Sequence, residues 1–250
     1  MARPAAPDDP WAQLAALRLT LEHTRAEDAA KERELERYAA DLRAAGRRER
    51  QRSRELRDTY TATVRALSNA VDARDAYTAH HAERVAAYGT EIATVSGLAL
   101  GDETRLEYGF LLHDIGKIGI ADAILFKPGT LSAAERREMQ RHPLIGEEII
   151  AEIEFLAPAR AVVRHHHERW DGRGYPDGLA GEEIPFAARV FALADALDAI
   201  TSDRPYRPAS SLAVARQVLR SSAGQFDPEI LDAFDQIPDR VIDGIRARAA

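Results

Sequence analysis

The chain has 250 residues, 45% of them hydrophobic and 30% charged, which is typical of a globular protein with surface helices. It contains no cysteine, and this excludes disulfides, thiolate metal sites and cysteine nucleophiles. Residues 1–57 carry 13 basic and 11 acidic side chains, whereas the remainder carries 21 basic and 30 acidic ones. The acidic larger part argues against binding of a nucleic-acid polymer.

The N-terminal quarter predicts a disordered start followed by one long helix. Residues 1–10 contain three prolines and two aspartates, and we expect them to be disordered. Residues 11–60 contain no proline and are rich in Ala, Glu, Arg and Leu, which predicts a long amphipathic helix. Five leucines of this segment share one heptad register, interrupted at two positions: Leu14, Leu21, Leu35, Leu42 and Leu56.

Two interpretations of the 11–60 helix stay open. It either packs on its own domain or forms a coiled coil that joins two protomers or transmits a signal. The coiled coil is favoured because an isolated helix this polar gains little from burial, so we expect a homodimer through this segment. The arginines between Arg47 and Arg57 are interrupted by Glu49 and Glu55, which indicates a solvated helix face rather than a nucleic-acid site.

No apolar stretch approaches the roughly 20 residues that a membrane-spanning helix needs. The N-terminus also lacks the pattern of a signal peptide. We therefore expect no membrane span and a cytoplasmic location.

From Thr61 onward the apolar residues recur at helical spacing, and period-two alternation is nowhere sustained. We therefore predict an all-α domain over residues 61–245, with a glycine-rich loop at 171–181. Helical segments are expected at 61–74, 82–98, 103–115, 133–140, 143–155, 158–168, 186–200, 210–223 and 228–236.

Seven of the eight histidines fall between residues 80 and 167, near carboxylates and helix ends. The adjacent His113 and Asp114 point about 100° apart at the end of a predicted helix, so both can face one cavity. An imidazole can bind one ion while a carboxylate bridges two. Two divalent ions about 3.5–4 Å apart suit phosphodiester hydrolysis. The pair alone is a weak signal, but the context HDIGKIGI (113–120) makes it informative.

The motifs between about Val71 and Phe234 resemble the HD-GYP family, a branch of the HD-superfamily phosphohydrolases that hydrolyse cyclic di-GMP. They are YTAHH (77–81), HD (113–114), FKPG (126–129), HP (142–143), HHERWDGRGYPDG (166–178), DALDA (195–199), RPYR (204–207) and FDP (226–228). The resemblance implies an HD-superfamily helical domain behind the long N-terminal helix. It also implies a metal-dependent cyclic di-GMP phosphodiesterase that releases pGpG and, with further hydrolysis, GMP.

Two alternatives to this activity stay open. One is a catalytically weak cyclic di-GMP receptor or protein-interaction module, which the complete set of ligand residues argues against. The other is a phosphodiesterase for a different cyclic dinucleotide.

The resemblance assigns metal ligands residue by residue: His81, His113, Asp114, His142, His166, His167 and Asp195. Asp114 would bridge the ions and Lys117 would contact the scissile phosphate, so these two are the catalytic candidates. The expected cofactors are two divalent ions, iron or manganese before magnesium.

Some positions leave alternatives within that ligand set. Family members with a third ion use a glutamate where this chain has Tyr77, so we expect two ions. His80 precedes the first ligand position, and the spacing to Arg84 favours His81. His165 likewise precedes the pair at 166–167, which the spacing to Glu168 favours.

The resemblance also implies residues that contact guanine or phosphate: Asp75, Tyr175, Asp198, Arg204 and Arg207. Arginine suits this task because its planar guanidinium binds phosphate in a bidentate way and stacks on bases. The loop that contains Gly-Tyr-Pro (174–176) is expected to recognise substrate or a signalling protein partner.

Overall fold

The structure, a computed structural model, describes residues 10–73, 80–97, 103–203, 207–222 and 224–248. Eleven α-helices and three short 3₁₀ segments lie within these ranges, and none of the described residues forms a β-strand. The prediction of an all-α fold is confirmed. None of the helices in the described ranges is long and apolar enough to span a bilayer.

The chain divides into two compact units, Met1–Thr59 and Tyr60–Ala250. Helix α1 (Pro10–Asp72) supplies the described residues of the first unit. There its leucines are exposed, with Leu14 at 60% and Leu42 at 74%. The helix predicted over 11–60 and the helical segment predicted over 61–74 form one unbroken helix, whose residues from Tyr60 onward belong to the second unit. In that unit Val64 and Val71 are buried in the core.

The core of the second unit is built around helix α8 (Phe186–Thr201), which packs against α2 (His81–Val95) and α7 (Arg160–His165). Helix α3 (Glu103–Leu112) also packs on α2 and α7. The apolar residues in the middle of α8 are fully buried: Val190, Phe191, Leu193, Ala194 and Leu197. Burial of this continuous apolar surface is the main force that holds the four helices together.

The remaining helices are α4 (Asp122–Leu125), α5 (Ala133–Met139), α6 (His142–Ile150), α9 (Leu212–Ser221), α10 (Pro228–Asp235) and α11 (Asp239–Arg248). Their starts follow local sequence signals. Ser132 and Glu135 form a capping box at α5. Asp227 caps α10 and Pro228 occupies its first turn, where a missing N–H costs nothing.

The clearest differences from the sequence predictions are the end of α6 and the two helices α4 and α11, neither of which was predicted. The expected helix over 143–155 ends at Ile150, and a 3₁₀ segment at Glu154–Ala159 leads into α7. Helix α11 was not predicted, because charged residues and Gly244 dilute its apolar pattern. Its Ile242 and Ile245 are nevertheless buried, and the helix packs on α2.

Several sequence expectations fall on residues outside the described ranges. Among them are Asp75 and Arg204, two of the five expected substrate contacts. Tyr77, whose identity led to the prediction of two metal ions instead of three, also lies outside them. Residues 1–9 of the segment expected to be disordered lie outside them as well.

Candidate metal centre

The His-Asp pair lies where α3 ends and a 3₁₀ turn, Ile115–Gly119, begins. Nε2 of His113 lies 3.0 Å from Oδ2 of Asp114. The turn brings Nζ of Lys117 to 2.8 Å from the same carboxylate oxygen. The Asp114 carboxylate is therefore flanked by an imidazole and a fixed positive charge.

Gly116 allows this turn to approach the start of α6. A Cβ atom at Gly116 would lie 1.9 Å from the backbone oxygen of His142 and 2.5 Å from the backbone nitrogen of Gly146. Only glycine permits that contact, and the contact is what places His142 opposite Asp114. Nε2 of His142 lies 3.3 Å from Oδ1 of Asp114.

The end of α7 completes the central group. Ligand atoms of Asp114, His142, His166 and His167 all lie within 4.8 Å of one another. The Nε2 atoms of His142 and His166 are 3.1 Å apart, and the ring centroids of His166 and His167 are 4.1 Å apart. Four residues that are up to 53 positions apart in the chain thus face one small volume, as the sequence predicted.

His81 and Asp195 extend this group. Nε2 of His81, on the first residue of α2, lies 3.4 Å from Oδ1 of Asp195 on α8. The ring centroids of His81 and His113 are 5.8 Å apart. The seven predicted ligands therefore form one continuous cluster, which we call the candidate metal centre.

Three of its histidines are oriented by backbone carbonyls. Each can donate its Nδ1–H to the carbonyl three residues earlier: His113 to Phe110 at 2.8 Å, His142 to Met139 at 2.8 Å, and His166 to Val163 at 2.9 Å. This arrangement directs the Nε2 lone pair of each ring into the centre, which is how metal-binding histidines are usually held.

His81 is held by a carboxylate. Its Nδ1 lies 2.7 Å from Oδ2 of Asp198, and Arg84 donates from Nε to the other oxygen at 2.7 Å. Asp198 has no exposed surface. Asp198 was expected to contact substrate, but its two carboxylate oxygens bind His81 and Arg84 inside the core. Arg84, which lies one turn after His81, was not predicted to have this role.

Burial and neighbouring charges set the protonation states of the centre. Burial alone would raise the pKa of Asp114, but the charges of His113 and Lys117 hold that pKa well below its usual value. Burial lowers the pKa of His166 well below its usual value, and burial with His142 lowers the pKa of His167 to about 3. At neutral pH the centre therefore offers an ionised carboxylate and at least two neutral imidazoles, the forms that bind metals.

The glycine loop (residues 171–181) packs on the segment that carries two ligands. The Tyr175 ring stacks on His167 with centroids 4.6 Å apart, and its backbone N–H donates to the His167 carbonyl at 3.3 Å. A Cβ atom at Gly174 would lie 2.4 Å from Cα of Glu168. Oε1 of Glu168 accepts from the N–H groups of Asp177 and Gly178. Glu168 thus holds the glycine loop in place, a role that the sequence analysis did not predict.

Arg207, another expected substrate contact, is exposed and donates to the backbone carbonyl of Ala199. No contact between Arg207 and the candidate metal centre is found in the described part of the chain.

The chemistry of the donor set fits divalent cations. Five imidazoles and two carboxylates supply only nitrogen and oxygen atoms, which suits iron, manganese or zinc. Asp114 lies among His113, His142, His166 and His167, and Asp195 lies beside His81.

With this geometry described, the family can be assigned. A family model described as an HD domain matches residues 65–230. The chain belongs to the HD domain family. The match begins near the end of α1 and extends into α10, so it contains every residue of the candidate metal centre.

Two curated relatives of this HD domain are named as phosphodiesterases of cyclic dinucleotides. The cyclic di-GMP phosphodiesterase response regulator RpfG of Xanthomonas campestris is 39% identical over 183 residues, covering 72% of this chain and 48% of its own length. The 3'3'-cGAMP-specific phosphodiesterase 2 of Vibrio cholerae is 36% identical over 196 residues, covering 77% of this chain and 37% of its own. The chain thus spans less than half the length of either relative.

A solved structure supports the fold. Bd1817, described as an HDGYP protein from Bdellovibrio bacteriovorus, aligns with a TM-score of 0.52 at 17% identity. The alignment covers 72% of this chain and 63% of Bd1817. The resemblance to HD-GYP proteins, first inferred from the motifs, is confirmed by these comparisons together.

Proposed function

We propose that this HD domain is a metal-dependent phosphodiesterase that hydrolyses cyclic di-GMP. The observation that supports the proposal is the clustering of the seven predicted ligands, Asp114 among them, from five parts of the chain. The names of relatives such as RpfG support the choice of a cyclic dinucleotide. The products would be pGpG and, after a second hydrolysis, GMP.

The centre would hold two divalent ions, iron or manganese before magnesium. One oxygen of Asp114 lies near His113 and the other near His142, so Asp114 would help to hold both ions. When bound, two such ions would polarise the phosphodiester and acidify the attacking water. The protein orients the imidazoles through Phe110, Met139 and Val163 and excludes bulk water by burying His113, His142 and His166.

Lys117 would assist electrostatically. Its side chain is only 12% exposed and lies 2.8 Å from Asp114, so its charge acts in a weakly screened environment. Negative charge that develops on a phosphoryl oxygen beside Asp114 would be stabilised by this ammonium group. Lys117 would thereby lower the barrier without transferring a proton.

Residues around the candidate metal centre would contact the bases and phosphates of the dinucleotide. Tyr175 borders the centre through its stacking on His167 and can offer a ring face to a guanine base. Asp75, Arg204 and Arg207 would contact guanine or phosphate groups. Asp198 would act through His81 instead. The glycine loop would also present a surface to a signalling protein partner.

The direct test is turnover of cyclic di-GMP by the purified chain with Mn²⁺ or with Fe²⁺ under anaerobic conditions. We expect metal-dependent release of pGpG that is lost in His113→Ala/Asp114→Ala. His23→Ala, which removes an exposed histidine of α1, is the matched control and should retain activity. Binding of cyclic di-GMP without metal-dependent turnover would instead favour a receptor.

A second candidate substrate is 3'3'-cGAMP, because a relative of 36% identity is named for that specificity. The two substrates share the phosphodiester ring and differ in one base, so the same centre could act on both. Parallel measurements of kcat/KM for the two dinucleotides would separate these functions. A ratio near one would indicate that the chain does not discriminate between the bases.

We further propose that the N-terminal helix joins two protomers as a parallel coiled coil. The exposed leucines at heptad spacing support this arrangement, since a monomer would leave them in water. The helix would then couple the HD domain to a regulatory partner.

A further inference from the structure

A second group of ligand-type side chains lies outside the candidate metal centre. It contains His165 at the end of α7, Glu168 just after it, and Asp177 in the glycine loop. One nitrogen or oxygen atom from each of the three residues lies within 4.8 Å of the others. Nδ1 of His165 and Oδ2 of Asp177 are 3.4 Å apart.

Two atoms of this group are buried without a hydrogen-bond partner among the residues that the structure describes: Oε2 of Glu168 and Nδ1 of His165. Glu168 is only 3% exposed, and its other oxygen already accepts from Asp177 N–H at 2.8 Å and Gly178 N–H at 3.1 Å. Buried polar atoms in native structures nearly always have a hydrogen-bond partner. Two such atoms without a partner in one small group therefore indicate that the group binds an ion.

We propose that His165, Glu168 and Asp177 bind one divalent transition-metal ion at a site separate from the candidate metal centre. One imidazole nitrogen and two carboxylate oxygens form a donor set that Zn²⁺ and Mn²⁺ accept, with water completing the coordination. Asp177 is exposed and gives the ion a route from solvent. The inference does not depend on the proposed function.

The charges around the group favour a cation. The guanidinium of Arg164 forms ion pairs with Glu147 and Asp177, and Glu168 adds a third carboxylate close to Asp177. Arg164 donates to both oxygens of Asp177 at 2.8 Å, so it neutralises only part of this negative charge. It also competes with an ion for Asp177, and its removal should therefore strengthen metal binding.

The ion would fasten the glycine loop to the end of α7. Glu168 and His165 flank the ligand pair His166 and His167, while Asp177 follows Tyr175 and Pro176 in the loop. A bridge between these segments would keep Tyr175 stacked on His167. The site is therefore structural, and it would stabilise the position of two ligands of the candidate metal centre.

The test uses Zn²⁺ as the probe and the 250-residue chain with Asp114→Asn/His167→Gln as the background, so that binding at the candidate metal centre is weakened without loss of volume. Equilibrium dialysis followed by elemental analysis gives the zinc content per chain. Adding His165→Gln should raise the dissociation constant of one zinc ion at least tenfold. At a fixed, low zinc concentration the zinc content should therefore fall by about one ion per chain. Adding Arg164→Gln instead should preserve that ion and tighten its binding.

Asp177→Asn provides a second variant with the same expected loss, in case His165→Gln perturbs folding, which circular dichroism would reveal. His23→Gln, at an exposed histidine of α1, is the matched control for unspecific binding. Equal zinc content with and without His165→Gln and Asp177→Asn would overturn the inference. The same loss in His23→Gln would overturn it too, because it would assign the ion to the surface.

Discussion

The Nδ1 atom of His81 lies 2.7 Å from Oδ2 of Asp198, and both side chains are almost completely buried. Arg84 binds the same carboxylate through Nε and Nη2. A carboxylate behind a metal-binding histidine fixes the ring and strengthens its basicity. Asp198 is therefore best understood as a positioning residue for His81.

This relationship predicts that Asp198→Asn weakens metal binding about 10–100-fold, the usual cost of losing such a partner. Metal titration monitored by calorimetry would measure the change. Ser202→Ala removes only the 3.1 Å hydrogen bond from the hydroxyl to Oδ1 of Asp198 and serves as the control. Equal metal affinity in Asp198→Asn and in the unmodified protein would show that His81 is not held in this way.

A second prediction concerns Gly116. A methyl group there would collide with the backbone of His142, so Gly116→Ala must push the 3₁₀ turn away from α6. We expect a loss of about 3 kcal/mol in the free energy of unfolding, as for other overpacked sites, together with loss of metal-dependent activity. Urea unfolding and a turnover assay would record both.

The matched control is Gly244→Ala in the middle of α11, where an added Cβ meets nothing within 4 Å. This substitution should raise the free energy of unfolding by up to about 1 kcal/mol, because alanine is the better helix former. A neutral Gly116→Ala would mean that the close contact between the two segments can relax without consequence.

The third prediction is a dependence of stability on pH in the metal-free protein. Burial and the neighbouring His142 lower the pKa of His167 to about 3, whereas the ring titrates near 6.5 in the unfolded chain. Between these values the unfolded state binds the additional proton. Stability is thus fully present above pH 6.5 and falls as the pH decreases towards 3.

From pH 7.5 to pH 5.5 this single ring should cost about 1.4 kcal/mol. Urea unfolding in the presence of a chelator would measure the slope, and His167→Gln should make it shallower. Asp114 raises the pKa of His113 despite the opposing effect of burial, so that residue acts in the opposite direction. An unchanged slope in His167→Gln would contradict the assignment of His167 as a neutral buried histidine.

The fourth prediction concerns the exposed leucines of α1. Leu21→Glu/Leu42→Glu places two charges in the proposed seam, and we expect a dimer to become a monomer. Light scattering during size-exclusion chromatography would give the mass. Arg48→Glu lies outside the leucine register and should leave the mass unchanged. A monomeric unmodified protein would remove the basis for the coiled coil.

The sequence alone determined the fold class and which histidines and aspartates cluster in space. Helical periodicity sufficed because each helix buries one apolar stripe, as in α8, and the motifs around His113, His142 and His166 specified which side chains meet. Exact helix ends were harder to predict. The end of α6 at Ile150 and the existence of α11 depend on packing against other helices, which local sequence does not encode.

Only the tertiary structure decided the roles of residues that act through others. Asp198 is assigned to His81 and Arg84 because the fold buries its carboxylate between α2 and α8, although the motif alone suggested a contact with substrate. The group of His165, Glu168 and Asp177 likewise exists only because the glycine loop folds back onto α7. Contacts between distant segments depend on packing in three dimensions. The sequence pattern alone does not show how close two such segments lie in the folded protein.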